Sequence, residues 1–117
     1  MVVRVIDDAA TTVMATYRVK ADREADMVHL LHRHWPTLRA HGLVTDEPPA
    51  VFRGTDPHGR PHYIEVFSWR EPECARAAHQ HPAVMEVWGP MEDCCEERDG
   101  RPAMEFPSVQ RVELRVE

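Results

Sequence analysis

Residues 62–82 read HYIEVFSWREPECARAAHQHP, and this stretch decides the fold. Its first eight residues alternate between two faces, because successive side chains of a strand point to opposite sides. After Trp69 a short turn leads to Pro72, which is tolerated in the first turn of a helix, and residues 71–81 have helical character. The stretch therefore predicts a strand that leads directly into a helix. One strand face carries His62, Ile64, Val66 and Ser68, and the other carries Tyr63, Glu65, Phe67 and Trp69.

The remaining sequence supplies the other elements of the fold. Residues 11–19 are rich in β-branched side chains and predict a strand. Residues 22–41 carry apolar side chains at helical spacing and end at Gly42, a residue typical of helix C-termini. With extended segments at 50–54 and 103–116, the order is strand, helix, strand, strand, helix, strand. This order predicts an α+β fold of the ferredoxin-like βαββαβ type, with one antiparallel sheet.

Length and composition limit the class of protein. The chain has 117 residues, which fits one domain spanning 1–117, with residues 1–10 as an N-terminal arm or a first strand. Its net charge of −6 and scattered basic residues argue against a nucleic-acid partner. The sequence has no apolar run long enough for a membrane span, and acids stand where a signal peptide is basic. Three cysteines, two of them adjacent, predict free thiols, so we expect a cytoplasmic protein.

The strand at 62–69 also predicts a homodimer. Helices cover only one face of a ferredoxin-like sheet, yet this strand is apolar on both faces. The face with Tyr63, Phe67 and Trp69 is too aromatic to be left in water. The simplest remedy is a second copy of the chain, with the two sheets packed face to face.

One pattern in the sequence comprises Glu65, Trp69, Glu71, His79 and the pair His81–Pro82. It is a strand with a glutamate and a terminal aromatic residue, then an acidic turn and a helix with a histidine near its end. This pattern resembles the antibiotic biosynthesis monooxygenase-like family of dimeric α+β barrels. The resemblance extends over roughly residues 11–115 and implies that fold. It also implies cofactor-independent oxygenation of an aromatic or polyketide-like molecule, with no bound cofactor. The family includes haem-degrading enzymes as well. Tyr17 and Trp69 are the residues carried over from its oxygenases.

Three residues are candidates for proton transfer: His79, Tyr63 and His34. The ordinary pKa of histidine lies near neutral pH, which suits a general acid or base. A helix-end histidine that bonds a carbonyl, and aromatic packing in the core, are the structural alternatives for His79 and Tyr63. Aromatic side chains could instead stack on a flat substrate in an apolar cavity. The candidate substrate-binding residues are Tyr17, Phe67, Trp69, Trp35 and Trp88.

The eight histidines invite a metal or haem site, but their spacing does not favour one. His29 and His32 lie three apart on the predicted helix, and no cysteine or carboxylate at diagnostic spacing completes a ligand set. We therefore expect no metal ligands. The sequence favours a small-molecule enzyme with monooxygenase-like chemistry. It leaves open a non-catalytic binder of an apolar ligand, an isomerase, and a haem- or metal-handling protein.

Overall fold

The computed structural model describes residues 2–5 and 11–115. Most of the predicted N-terminal arm, residues 1 and 6–10, lies outside the described residues, whereas Val2–Val5 forms a strand. The helices are a short 3₁₀ turn at Ala21–Arg23, α1 (Glu24–Ala40), α2 (Cys74–His79) and α3 (Pro82–Asp93). The strands are β1 (Val2–Val5), β2 (Thr11–Tyr17), β3 (Ala50–Thr55), β4 (Pro61–Trp69), β5 (Met104–Glu105), β6 (Ser108–Val109) and β7 (Val112–Arg115).

The main sheet is antiparallel, with the order β3-β4-β2-β5, and β6 also pairs with β2. This confirms the ferredoxin-like α+β fold. Two elements have more parts than the predicted order. Two helices follow β4, because His81 precedes α3 and accepts a hydrogen bond at its Nδ1 atom from the backbone N–H of Ala83. The last extended segment forms three short strands, and Pro107, which has no N–H to continue a ladder, lies between β5 and β6.

The helix α1 follows the predicted apolar stripe, whose buried side chains include His34. Gly42 ends the helix with a positive φ of 70°, a conformation that costs glycine little. Its N–H bonds the carbonyl of Arg39, and the N–H of Leu43 bonds the carbonyl of Leu38. These two bonds form a Schellman motif, which satisfies carbonyls left open at the helix end.

The helices cover the aromatic face of β4. Tyr63, Phe67 and Trp69 are each at most 7% exposed, and Glu65 between them is 1% exposed. The sequence-based expectation that a second copy would cover this face is therefore wrong. Both faces of β4 carry apolar residues, so the period of two could not show which face the helices take.

The face of the sheet without helices is also apolar. Met14 on β2 is 39% exposed, Phe52 on β3 is 58% exposed and Val109 on β6 is 36% exposed. Ile64 and Val66 of β4 are half-buried between them, with Ile64 opposite Phe52 and Val66 opposite Met14. We call these five residues the open face.

The strands β1 and β7 form a separate antiparallel ribbon, with Val2 opposite Arg115 and Val5 opposite Val112. The ribbon carries exposed apolar side chains, since Val112 is 45% and Leu114 is 62% exposed. Among the described residues, no helix combines the length and apolar character needed to cross a membrane.

Candidate functional site

A pocket of about 560 Å3 lies on the helix-covered side of the sheet. It is formed by the end of β4, by α2 and α3, and by the segment 102–108, whose strand β5 pairs with β2. Its lining is mostly apolar, and the exposed side chains of Met85 and Phe106 belong to it. The lining residues are Thr11, Val13, Phe67, Trp69, Pro72, Ala75, His79, Met85, Trp88, Glu92, Pro102, Ala103, Met104, Phe106 and Ser108.

Aromatic rings in edge-to-face contact form one wall of the pocket. The ring centroids of Phe67 and Trp69 are 5.1 Å apart, and those of Trp69 and Trp88 are 6.5 Å apart. The ring of His79 lies 4.8 Å from that of Trp88, at an interplanar angle of 67°. Such contacts keep each ring in place and leave apolar surface for a flat molecule to stack on.

A hydrogen-bonded chain of buried side chains starts behind Trp88. The indole Nε1–H of Trp88 donates to His34 Nε2 at 2.8 Å. His34 Nδ1 lies 2.8 Å from Glu65 Oε1, and the hydroxyl of Tyr17 donates to that same oxygen at 2.7 Å. His34 and Glu65 are each 1% exposed, and Tyr17 is fully buried. The chain therefore links three elements, β2, β4 and α1, to a residue of the pocket wall.

The directions of these bonds define the protonation states. An indole N–H can only donate, so His34 Nε2 is the acceptor and a neutral ring carries its hydrogen on Nδ1. That hydrogen points to Glu65 Oε1. Burial, and next the negative charge of Glu65, raise the pKa of Tyr17 well above its ordinary value, so the phenol stays protonated and donates. The other carboxylate oxygen of Glu65, Oε2, is buried and has no hydrogen-bond partner.

Four of the eight predicted site residues line the pocket: Phe67, Trp69, His79 and Trp88. His34 and Tyr17 lie one layer deeper, in the hydrogen-bonded chain.

The structure does not bring Tyr63 and Trp35 to the pocket. The Tyr63 hydroxyl donates to Glu24 Oε1 at 2.9 Å, and Glu24 also pairs with Arg53. Trp35 lies near Tyr63 along a groove between α1 and β3, with the Arg39 guanidinium 5.6 Å from its ring. An ion-paired carboxylate thus holds Tyr63, which leaves His79 as the predicted proton-transfer residue with direct access to the pocket.

The sequence did not reveal the outer wall of the pocket. Met104 and Phe106 belong to a segment with no regular period, and only its pairing with β2 brings it to the site. Met85 could have been recognised, because it precedes Trp88 by three residues and so shares its helix face. The only signal for Phe106 was its place beside Pro107, since a proline inside an extended segment marks an edge or a break.

The cysteines and histidines form no further reactive centre among the described residues. Cys74, Cys94 and Cys95 are free, and burial raises the pKa of the Cys95 thiol to about 12, which makes its reactive thiolate rare. Within residues 2–5 and 11–115, no three histidine, cysteine or acidic side chains are placed to hold a metal ion.

Comparison with known proteins identifies the fold. No family model matches the sequence, and a search of curated proteins finds no relative. Solved structures do match. A conserved protein from Methanosarcina mazei is 13% identical, with a TM-score of 0.63 over 88% of this chain and 93% of that one. A predicted antibiotic biosynthesis monooxygenase from Bordetella bronchiseptica is 19% identical, with a TM-score of 0.58 over 94% and 100%.

A third structure adds a described chemistry. SnoaB from Streptomyces nogalater, a cofactor-independent oxygenase, is 10% identical, with a TM-score of 0.56. The match covers 94% of this chain and 96% of that one. The fold inferred from the sequence resemblance, that of antibiotic biosynthesis monooxygenase-like proteins, is therefore confirmed.

Proposed function

We propose that the protein is a small-molecule enzyme that oxygenates a flat aromatic or polyketide-like substrate without a bound cofactor. The observation that carries the proposal is the 560 Å3 pocket, with aromatic rings in edge-to-face contact on one wall and a histidine beside them. Its volume lies in the range of sites for small organic ligands. The fold shared with SnoaB supports the same chemistry. Three free thiols fit a reducing compartment, so we place the reaction in the cytoplasm.

The proposed reaction needs a substrate that supplies its own electrons. Removal of a proton from a methylene carbon flanked by phenolic rings gives an electron-rich anion, which reduces O2 and forms a carbon–oxygen bond. One oxygen atom stays in the product as a carbonyl group. The other leaves as water with the two methylene hydrogens, so no external reductant is required. The pocket contributes stacking surface, exclusion of water and a group that accepts the proton.

A hydroxylated anthrone, which has such a methylene, is the substrate for the test. We expect saturable oxygen uptake, with the quinone product followed by its visible absorbance. Replacing Ala75, which lines the pocket on α2, by tryptophan fills the space and lowers both binding and uptake at least about tenfold. Ala77→Trp is the matched control, because Ala77 is exposed on the same helix and outside the pocket.

His79→Ala separates binding from proton transfer in the same assay. We expect tryptophan quenching by the anthrone to persist, because the aromatic wall is intact, while any proton transfer through His79 is lost. Saturable quenching that Ala75→Trp leaves unchanged would show that the ligand binds elsewhere and would contradict the proposal. Spontaneous oxidation of the anthrone, measured without protein, is subtracted throughout.

A non-catalytic binder of an apolar ligand is the second candidate. It is favoured by one observation: the Nε2 atom of His34 already accepts a hydrogen bond from the Trp88 indole, so this buried base is not open to the pocket. In that case the anthrone saturates the quenching signal, and the protein adds nothing to the spontaneous rate of oxygen uptake.

We further propose that the protein is a homodimer built through the open face. Apolar side chains on four neighbouring strands form one continuous surface there, where a single chain has no helix to cover it. A two-fold axis would place this surface against its own copy. The proposal keeps the sheet-on-sheet arrangement inferred from the sequence and moves it to the opposite face of the sheet.

A further inference from the structure

The buried pair of His34 and Glu65 lies behind the pocket lining and does not contact the space that a ligand would fill. The carboxylate of Glu65 is 1% exposed and lies on the helix-covered face of β4, between Tyr63 and Phe67. Taking an ion pair or a carboxylate out of water costs several kcal/mol, and apolar residues of the same size often replace such groups without loss of stability. The unpartnered Oε2 atom adds to that cost. Stability alone therefore gives no reason for a glutamate here.

The hydrogen bonds around His34 hold the imidazole in one tautomer, with a basic nitrogen on the side of the pocket. Glu65 fixes the hydrogen on Nδ1, and this leaves the lone pair on Nε2. Nε2 faces the Trp88 indole, and Trp88 is a half-buried wall residue of the pocket. The basic nitrogen therefore lies directly behind a pocket side chain.

We propose that His34 accepts a proton from the pocket ligand. Glu65 orients the imidazole and stabilises its protonated form, and the Trp88 indole covers Nε2 until the ligand enters. This inference rests on the proposed function, because it assumes that the pocket binds an acidic aromatic molecule. It adds the identity of the proton acceptor and the group that controls access to it.

The proton-transfer step is balanced within the site. Trp88 turns aside, its N–H leaves His34 Nε2, and the acidic group of the ligand comes within reach of that atom. This group is the methylene of an anthrone or the hydroxyl of a phenolic probe. The ligand C–H or O–H bond breaks, an N–H bond forms at Nε2, and the electron pair stays on the ligand as its anion. The imidazolium then donates from Nδ1 to the Glu65 carboxylate, and this bond now joins two opposite charges. Glu65 is thus a positioning residue, because it acts through His34.

Other titratable groups face the same space and must be separated from His34. His79 on α2 and Glu92 on α3 line the pocket, and both are exposed. His79 is the competing base, while the negative charge of Glu92 opposes a bound anion. On the core side Glu65 faces His34, and the protonated Tyr17 hydroxyl faces Glu65.

The probe for the test is a flat hydroxyanthraquinone whose phenolate absorbs at longer wavelength than its phenol. Its absorbance at saturation, followed against pH, gives the pKa of the bound dye without any turnover. In the unaltered protein we expect this pKa to lie at least about one unit below that of the free dye, because a nearby base stabilises the anion. The lowering is lost in His34→Gln and reduced in Glu65→Gln. It is kept in His79→Ala and in His29→Gln, a control at an exposed position of the same helix.

Nitrogen NMR of the unaltered protein gives a second readout, which does not depend on whether the variants fold. Saturation with the dye should convert His34 from the Nδ1–H form to an imidazolium and shift the indole N–H signal of Trp88. A lowered dye pKa that His79→Ala removes and His34→Gln keeps would overturn the inference. So would a His34 that stays neutral at saturation. Either result leaves the pocket and the proposed function standing, whereas failure of the dye and the anthrone to bind would remove both.

Discussion

Arg98→Met is expected to lower the free energy of unfolding by about 3 kcal/mol. Arg98 lies between α3 and β5 and is 6% exposed. One guanidinium nitrogen donates to the carbonyl of Pro61 at 2.7 Å, and another donates to the carbonyl of Val19. The side chain thereby joins the first residue of β4 to the chain just after β2. Methionine keeps the apolar stem but leaves both carbonyls without that donor.

Urea unfolding followed by circular dichroism measures the effect, and Arg101→Met is its control. Arg101 is exposed in the same turn, so its replacement removes one positive charge and changes the free energy by less than about 0.5 kcal/mol. Equal losses in the two variants would show that net charge, and not the buried bonds, sets the stability. An unchanged slope with a lower midpoint is expected for Arg98→Met, because the surface exposed on unfolding stays the same.

The alternation of side chains made much of the fold predictable. The predicted strand at 11–19 buries alternate residues of β2, namely Val13, Ala15 and Tyr17. The predicted helix at 22–41 buries the apolar residues spaced along one side of α1, together with His34. These predictions hold because a period of 2 or 3.6 is a local property of the chain. The choice of covered face on β4 is set by the side on which the helices pack. Two apolar faces gave no local preference, and the prediction of the covered face was wrong.

The site was predictable only where local patterns define it. Phe67, Trp69 and His79 follow from one strand and the helix after it, and they do meet at the pocket. The contacts between Glu65, His34 and Tyr17 join residues 31 to 48 positions apart. No pattern along the chain indicates such distant partners. A buried glutamate on an aromatic strand face was the available clue, and it was compatible with a cross-strand ion pair.

Met14→Glu is expected to convert the proposed dimer to a monomer and to raise its dissociation constant at least about a hundredfold. Met14 lies on the central strand β2 of the open face and is 39% exposed, so a single chain can tolerate a carboxylate there. In a symmetric dimer the substitution buries two such charges, and like charges at an interface cost several kcal/mol. A loss of about 3 kcal/mol corresponds to a hundredfold weaker association.

Analytical ultracentrifugation at micromolar concentration provides the measurement, and Val28→Glu is the matched control. Val28 is 38% exposed on α1, so the two variants place the same charge at nearly equal exposure on opposite sides of the sheet. We expect the unaltered protein and Val28→Glu to sediment at twice the chain mass of 13.5 kDa, and Met14→Glu to sediment at that mass. If Val28→Glu dissociates the dimer and Met14→Glu does not, the interface lies on the helices and the proposed one is wrong. An unaltered protein that sediments as a monomer would mean that the open face stays in contact with water.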